Sequence, residues 1–173
     1  NTAFLSWSSA YTWDVMEQDF KDFCTWSSTP SSQGGAGNLE AVIITAHWHD
    51  DGDGCVDAYG PVVYDKLMAL PECSSVSGKI RYVVGHNHCN EVIEKDVGFK
   101  VGGQGMQGCA DWGIPVFDTR NGRFKAYFFL VASGGPKHIT DKVDNYDEIL
   151  NCFQTKGVTN CYDLATLWAD TPL

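Results

Sequence analysis

Four of the five histidines fall in two His-x-His pairs, His47/His49 and His86/His88. A neutral imidazole offers a lone pair to a metal ion, and residues i and i+2 on an extended segment face the same side. Each pair directly follows an apolar run through a small residue. Ala41-Val-Ile-Ile-Thr-Ala46 leads to the first pair, and Lys79-Ile-Arg-Tyr-Val-Val84 with Gly85 leads to the second. If these runs are parallel strands, both pairs emerge at the carboxyl end of the sheet, where open α/β sheets bind ligands. His47, His86 and His88 can then converge on one metal ion or on two adjacent ions. A lone loop histidine is more often solvated than ligating, and His138, in a Gly/Pro/Lys context, is read that way.

The elements that must position these residues are legible as an α/β pattern. Asp14 and Glu17 have the form of a helix capping box, and Met16, Phe20 and Phe23 follow at i, i+4, i+7, so a helix is expected over 14–26. Residues 29–38 are Ser/Gly-rich and read as a loop. After the first strand, Pro61 is placed to open a helix with Val63, Leu67 and Leu70 on one face and Pro71 closing it. Strand, loop, helix, strand is the pattern of a parallel crossover unit. Further on, 92–93, 98–101, 114–117 and 124–131 read as antiparallel strands, with Asn121-Gly122 a hairpin turn between the last two. Residues 132–173 form a polar extension with short helices expected over 146–153 and 162–168. No repeat or domain boundary interrupts the chain, so 1–173 is read as one domain.

Composition narrows the class of function. With 173 residues, 43% of them hydrophobic and 20% charged, the chain can bury a core and is not of disordered type. A formal net charge of −10 with no basic patch speaks against nucleic-acid binding. No apolar run approaches the length of a membrane span. An anionic substrate would need local positive charge at its site, which metal ions supply.

The seven cysteines, Cys24, Cys55, Cys73, Cys89, Cys109, Cys152 and Cys161, contain no C-x-x-C knuckle. They read as disulfides of a secreted protein. Cys55 with Cys73 and Cys152 with Cys161 would close short loops. Because seven is odd, at least one thiol is free or pairs with a chain or segment outside the sequence. Asn1 is preceded by no Met or signal-type segment, which suggests a mature product or a piece of something longer. There is no N-x-[ST] sequon.

Two other motifs carry less. Asp50-Asp-Gly-Asp53-Gly-Cys-Val-Asp57 offers hard oxygen ligands, and Asp51, Asp53 and Asp57 would be those of a Ca²⁺ site. Against the calcium-loop template, however, His49 and Gly60 fall where Asp and Glu are required, so a polar turn is the simpler reading. The glycine-rich stretch 102–108 lacks the lysine of a phosphate-binding loop. No serine sits in a nucleophile elbow.

Thr45-Ala46-His47 after an apolar strand, followed by Val83-Val84-Gly85-His86-Asn87-His88, resembles the last two metal motifs of calcineurin-like metallophosphoesterases, purple acid phosphatases among them. The upstream Trp13-Asp14, Glu17-Gln18 and Phe20 resemble the helix those enzymes carry before the first of these motifs. The strands after His88 are similar in order and kind to their closing β-layer. The resemblance spans about 10–131. It implies part of an αββα sandwich, a mixed sheet with a βαβ unit followed by antiparallel strands. It also implies hydrolysis of a phosphate ester with two divalent or trivalent ions (Fe, Zn or Mn). It assigns His47 and His86 to one ion and His88 to the other, and makes Asn87 structural. His49 lies outside the motif and is either an acid or substrate contact or an exposed loop histidine.

The chain departs from that family before His47. The D-x-H, G-D-x-x-D and G-N-H-[DE] motifs are absent. Gly52-Asp53 to Asp57 has the wrong spacing and order, and Gly37-Asn38-Leu39-Glu40 has Leu for His. A two-metal site needs a bridging carboxylate, and none is placed. The chain alone therefore reads as a half-site completed by an N-terminal segment or a second chain, to which the odd cysteine could be linked. Two other readings are a non-catalytic secreted domain that keeps the fold for structure or assembly, and a mononuclear site of His47, His86 and His88.

Overall fold

The computed structural model of the chain describes residues 1–48, 58–102, 111–133 and 145–173. His49, the aspartates of 50–57, Cys55, Cys109, His138 and the glycine-rich stretch from 103 lie outside the described residues.

The chain opens with a strand that was not expected, β1 (Thr2–Ser6), followed by α1 (Trp13–Ser28), β2 (Ala41–Ala46), α2 (Gly60–Ala69) and β3 (Ile80–Val84). β1, β2 and β3 pair in parallel, in that order, so two crossover units stand where one was read. α1 buries Trp13, Met16, Phe20 and Cys24, a 3-4-4 spacing that keeps one stripe on the sheet. Met16 and Phe20 each contribute roughly 1.5–3 kcal/mol of burial. The expected capping box is not made. Thr12 is the N-cap without a side-chain bond, Asp14 lies inside the first turn, and Glu17 instead reaches Lys21 one turn on, at 2.6 Å. α2 opens on Pro61 as expected and buries Val63 and Leu67, while Leu70 is already its extended C-cap.

Beyond β3 come β4 (Glu91–Glu94) and β5 (Gly98–Lys100), an antiparallel hairpin as expected. Its placement is not the simple one. β5 inserts beside β3 in parallel and leaves β4 at the edge, giving the order β1-β2-β3-β5-β4. Gly98 is needed here because a Cβ would meet the Tyr82 ring at 2.0 Å.

β6 (Trp112–Asp118), β7 (Arg123–Ala132) and β8 (Thr166–Pro172) form a second, antiparallel sheet in that order. Asn121 and Gly122, at φ 61° and 67°, make the tight turn between β6 and β7, as their sequence suggests. α3 (Tyr146–Lys156) covers the region expected to be helical over 146–153. The second helix expected over 162–168 is not formed. After a 3₁₀ turn at Tyr162–Leu164, Thr166 and Leu167 pair with Phe128 and Tyr127 as part of β8. An open backbone edge on β7 outweighs local helical spacing there.

The buried side chains divide into layers. α1 and α2 pack on one face of the larger sheet, through Val42, Ile44, Ile80 and Tyr82. Its other face, through Ile43 and Phe99, meets Phe124, Ala126 and Ala169 of the smaller sheet. Phe129 and Val131 on that sheet's far face meet Ile149 and Cys152 of α3. The result is a mixed α/β arrangement with a mixed sheet facing an antiparallel one and helices outside both. Buried Arg81 ties the two sheets, donating to Thr171 Oγ1 at 3.0 Å with its guanidinium over the Phe124 ring. Burial pushes its pKa down.

Two disulfides join described cysteines, Cys24–Cys73 and Cys152–Cys161, and Cys89 is disulfide-bonded as well. The second pairing is the one expected. The first overturns Cys55–Cys73: α1 lays Cys24 against the 3₁₀ turn Pro71–Cys73, with the two Cα atoms 4.8 Å apart. Among the described residues no helix is long and apolar enough to cross a membrane.

Candidate metal centre

β2 and β3 are neighbours in register, Ala46 opposite Val84, so the residues that follow them leave the sheet side by side. The Gly85 amide donates to the His47 carbonyl at 3.0 Å, and the Val101 amide donates to the Val84 carbonyl at 2.8 Å. These bonds carry the strand pairing one step past each strand and hold the two histidine segments together. His86 Nδ1 then stands 3.0 Å from His47 Nε2, with the rings edge to face. Two metal–nitrogen bonds of about 2.0–2.1 Å can bridge such a gap. Without a metal, one shared N–H does so. A metal bound to both facing nitrogens would require that hydrogen to move to another ring nitrogen or to leave.

The expectation that His86 and His88 face one way because their segment is extended does not hold. Both residues have positive φ, 79° and 57°, in the left-handed region that residues with a Cβ rarely adopt. The surrounding loop holds them there. Asn87 Oδ1 accepts from the Cys89 amide at 3.3 Å. Asn90 accepts from the Gly102 amide at 3.0 Å and donates to the Asp111 carbonyl at 2.9 Å, which ties the end of the histidine segment to Gly102 and Asp111. The His88 backbone lies so close over Gly102 that a Cβ there would fall 1.9 Å from its carbonyl carbon.

Sequence reasoning passed over Trp48, although it lies between the first two histidines. Its ring packs edge-on to His47 and stacks on His86, at centroid distances of 4.5 and 5.8 Å. Its carbonyl accepts from the Gly60 amide at the start of α2. Trp7 and Ser9 were also missed. Both donate to the Ala58 carbonyl, at 2.6 and 2.8 Å, and so tie the end of β1 to the entrance of α2. The carboxyl end of the sheet is thus braced by indole and imidazole rings, with His47 exposed and His86 half-buried.

His47 and His86 are brought together; His88 stands two residues on, in the same loop. Among the described residues no group of three or more His, Cys, Asp or Glu is arranged to hold a metal ion. His49 and the Ca²⁺ candidates Asp51, Asp53 and Asp57 lie outside the described residues. Compared with protein-family models, curated proteins and solved structures, the chain matches none.

Proposed function

We propose that the chain carries one half of a metal-dependent phosphoric ester hydrolase site of the metallophosphoesterase type, completed by an N-terminal segment or a partner chain. The observation that carries this reading is the 3.0 Å approach of His47 Nε2 and His86 Nδ1 at the ends of adjacent parallel strands. The stacking of helices, mixed sheet, antiparallel sheet and helix supports it, since an αββα sandwich has those layers.

On this reading His47 and His86 hold one ion and His88 contributes to a second. Bound iron, zinc or manganese ions supply Lewis-acid polarisation of the phosphoryl oxygens and a hydroxide at neutral pH. The chain's own residues do the rest. Both imidazoles must be neutral at the facing nitrogens, and the Trp48 ring packs against both of them. His47 is exposed, so a phosphate ester and the carboxylates of the completing segment can reach its ring. The disulfides support a secreted or extracellular location.

The test uses the intact protein with any disulfide-linked partner it carries. Two metal ions per site by elemental analysis, and aryl phosphate hydrolysis lost on His86→Ala, are expected. One ion per chain would instead select a mononuclear site of His47, His86 and His88. No stoichiometric metal and no hydrolysis would sink the enzyme reading and leave a non-catalytic secreted domain.

A further inference from the structure

β1 is an edge strand of the larger sheet, and among the described residues no strand pairs with its free side. The Trp7 amide donates to the Thr45 carbonyl, and the Asn1 carbonyl accepts from the amides of Glu40 and Ala41. Odd-numbered residues therefore bond to β2, and the amides and carbonyls of Thr2, Phe4 and Ser6 point away from it. Edges that stay in water are commonly guarded by charge, proline or a bulge. Thr2-Ala-Phe-Leu-Ser-Trp7 has no charge and no proline, and pairs with β2 without a register break.

Beside this edge the Thr2 hydroxyl bonds Thr119 Oγ1 at 2.8 Å, and apolar surface lies open further along the strand. On the side away from α1, Phe4 is 70% exposed. On the α1 side lies a groove of about 300 Å³ lined by Leu5, Trp7, Tyr11, Val15 and Met16, with Val15 largely exposed. Asp19 is the charged residue lining this groove among the described residues, and it has no ion-pair partner there. A strand laid along β1 would cover Phe4 with one set of side chains and fill the groove with the other.

We propose that the open edge of β1 is a strand-acceptor site for an extended polypeptide segment, apolar on both faces and carrying one Lys or Arg on the α1 side. The basic side chain lays its methylenes along Val15 and Met16 and its charge against Asp19. Charge complementarity selects this occupant over a second copy of the chain. Two copies, each at a formal −10, would bring the Asp19 carboxylates of both α1 helices toward the shared edge. This is recognition by β-augmentation, with backbone bonds for affinity and the Asp19 groove for specificity. It is independent of the metal centre.

The probe is a capped nine-residue peptide of Val and Thr with one central Lys, added to the full chain while amide hydrogen exchange is followed by NMR. In the chain alone, at low micromolar concentration, the Phe4 and Ser6 amides exchange fast while those of Leu5 and Trp7 are protected. Saturating peptide protects Phe4 and Ser6 without changing the sedimentation of the chain as a monomer. A Glu-for-Lys peptide binds more weakly, and Asp19→Lys, an exposed change on α1, reverses that preference. Protection of Phe4 and Ser6 in the monomer without peptide would overturn the proposal. So would their continued fast exchange at millimolar peptide, protection that appears only as the chain dimerises, or indifference to the charge at residue 19.

Discussion

His86 Nδ1 lies 3.0 Å from His47 Nε2, although the two residues are 39 positions apart. The parallel register of β2 and β3 makes this contact. It is kept by the Gly85 amide on the His47 carbonyl and by the Trp48 ring against both imidazoles. Two histidines that would be unremarkable in separate loops become a paired donor set.

The loop carrying the second pair should be sensitive at Gly102. A methyl group there would fall 1.9 Å from the His88 carbonyl carbon, a backbone atom that cannot swing aside. Gly102→Ala is expected to push the 86–88 loop off the end of β5 and weaken metal binding while the helical circular dichroism is retained. Unchanged metal affinity in a folded Gly102→Ala protein would show that the position of this loop does not matter to the site.

The two described disulfides should differ in weight. Cys24–Cys73 closes a sequence separation of 49, and Cys152–Cys161 one of 9. Chain-entropy arguments give about 4 kcal/mol for the longer loop and nearer 3 kcal/mol for the shorter. Cys24 and Cys73 are also fully buried, where α1 meets the turn after α2. Urea unfolding of paired Cys→Ala variants is expected to rank the Cys24/Cys73 variant as the less stable. The opposite ranking would mean that the loop-length account fails here.

Asp118 gives a pH signature at the opposite end of the molecule from the histidines. Hydrogen bonds from the Arg120 side chain and amide and from the Tyr162 hydroxyl, at 3.0 Å, hold its carboxyl at about 2. Because its folded pKa is depressed, the stability it contributes is present above the ordinary carboxylate range. It is lost as the pH falls from that range through about 2. Asp118→Asn should therefore flatten the fall in unfolding free energy between neutral pH and pH ~2.5. Parallel stability curves for the two proteins over that window would refute the assignment.

What could be read in the sequence follows from how local each signal is. Ala41–Ala46 was legible to the residue because an apolar run ending in His has little choice but a buried strand. The α1 stripe and the Asn121-Gly122 turn were equally local. β1 escaped because it is five residues long and owes its place to pairing with β2, which begins some 40 residues later. Tyr162–Trp168 has near-helical apolar spacing, and only the free edge of β7 turns its second half into strand. The insertion of β5 beside β3 and the pairing of Cys24 with Cys73 are likewise facts of distance in space. At the site, strand context pointed to His47 and His86 together. The left-handed backbone at His86 and His88 was beyond reach, since no glycine marks those positions.

The account turns on whether the His47–His86 pair binds metal. Calorimetric titration of the intact protein, including any disulfide-linked partner it carries, with Zn²⁺, against His47→Ala and His86→Ala in that same native chain, measures that directly. Saturable zinc binding by the native chain, weakened more than about tenfold by either substitution, is the predicted result. No saturable binding by the native chain, or the same isotherm in all three proteins, would contradict it.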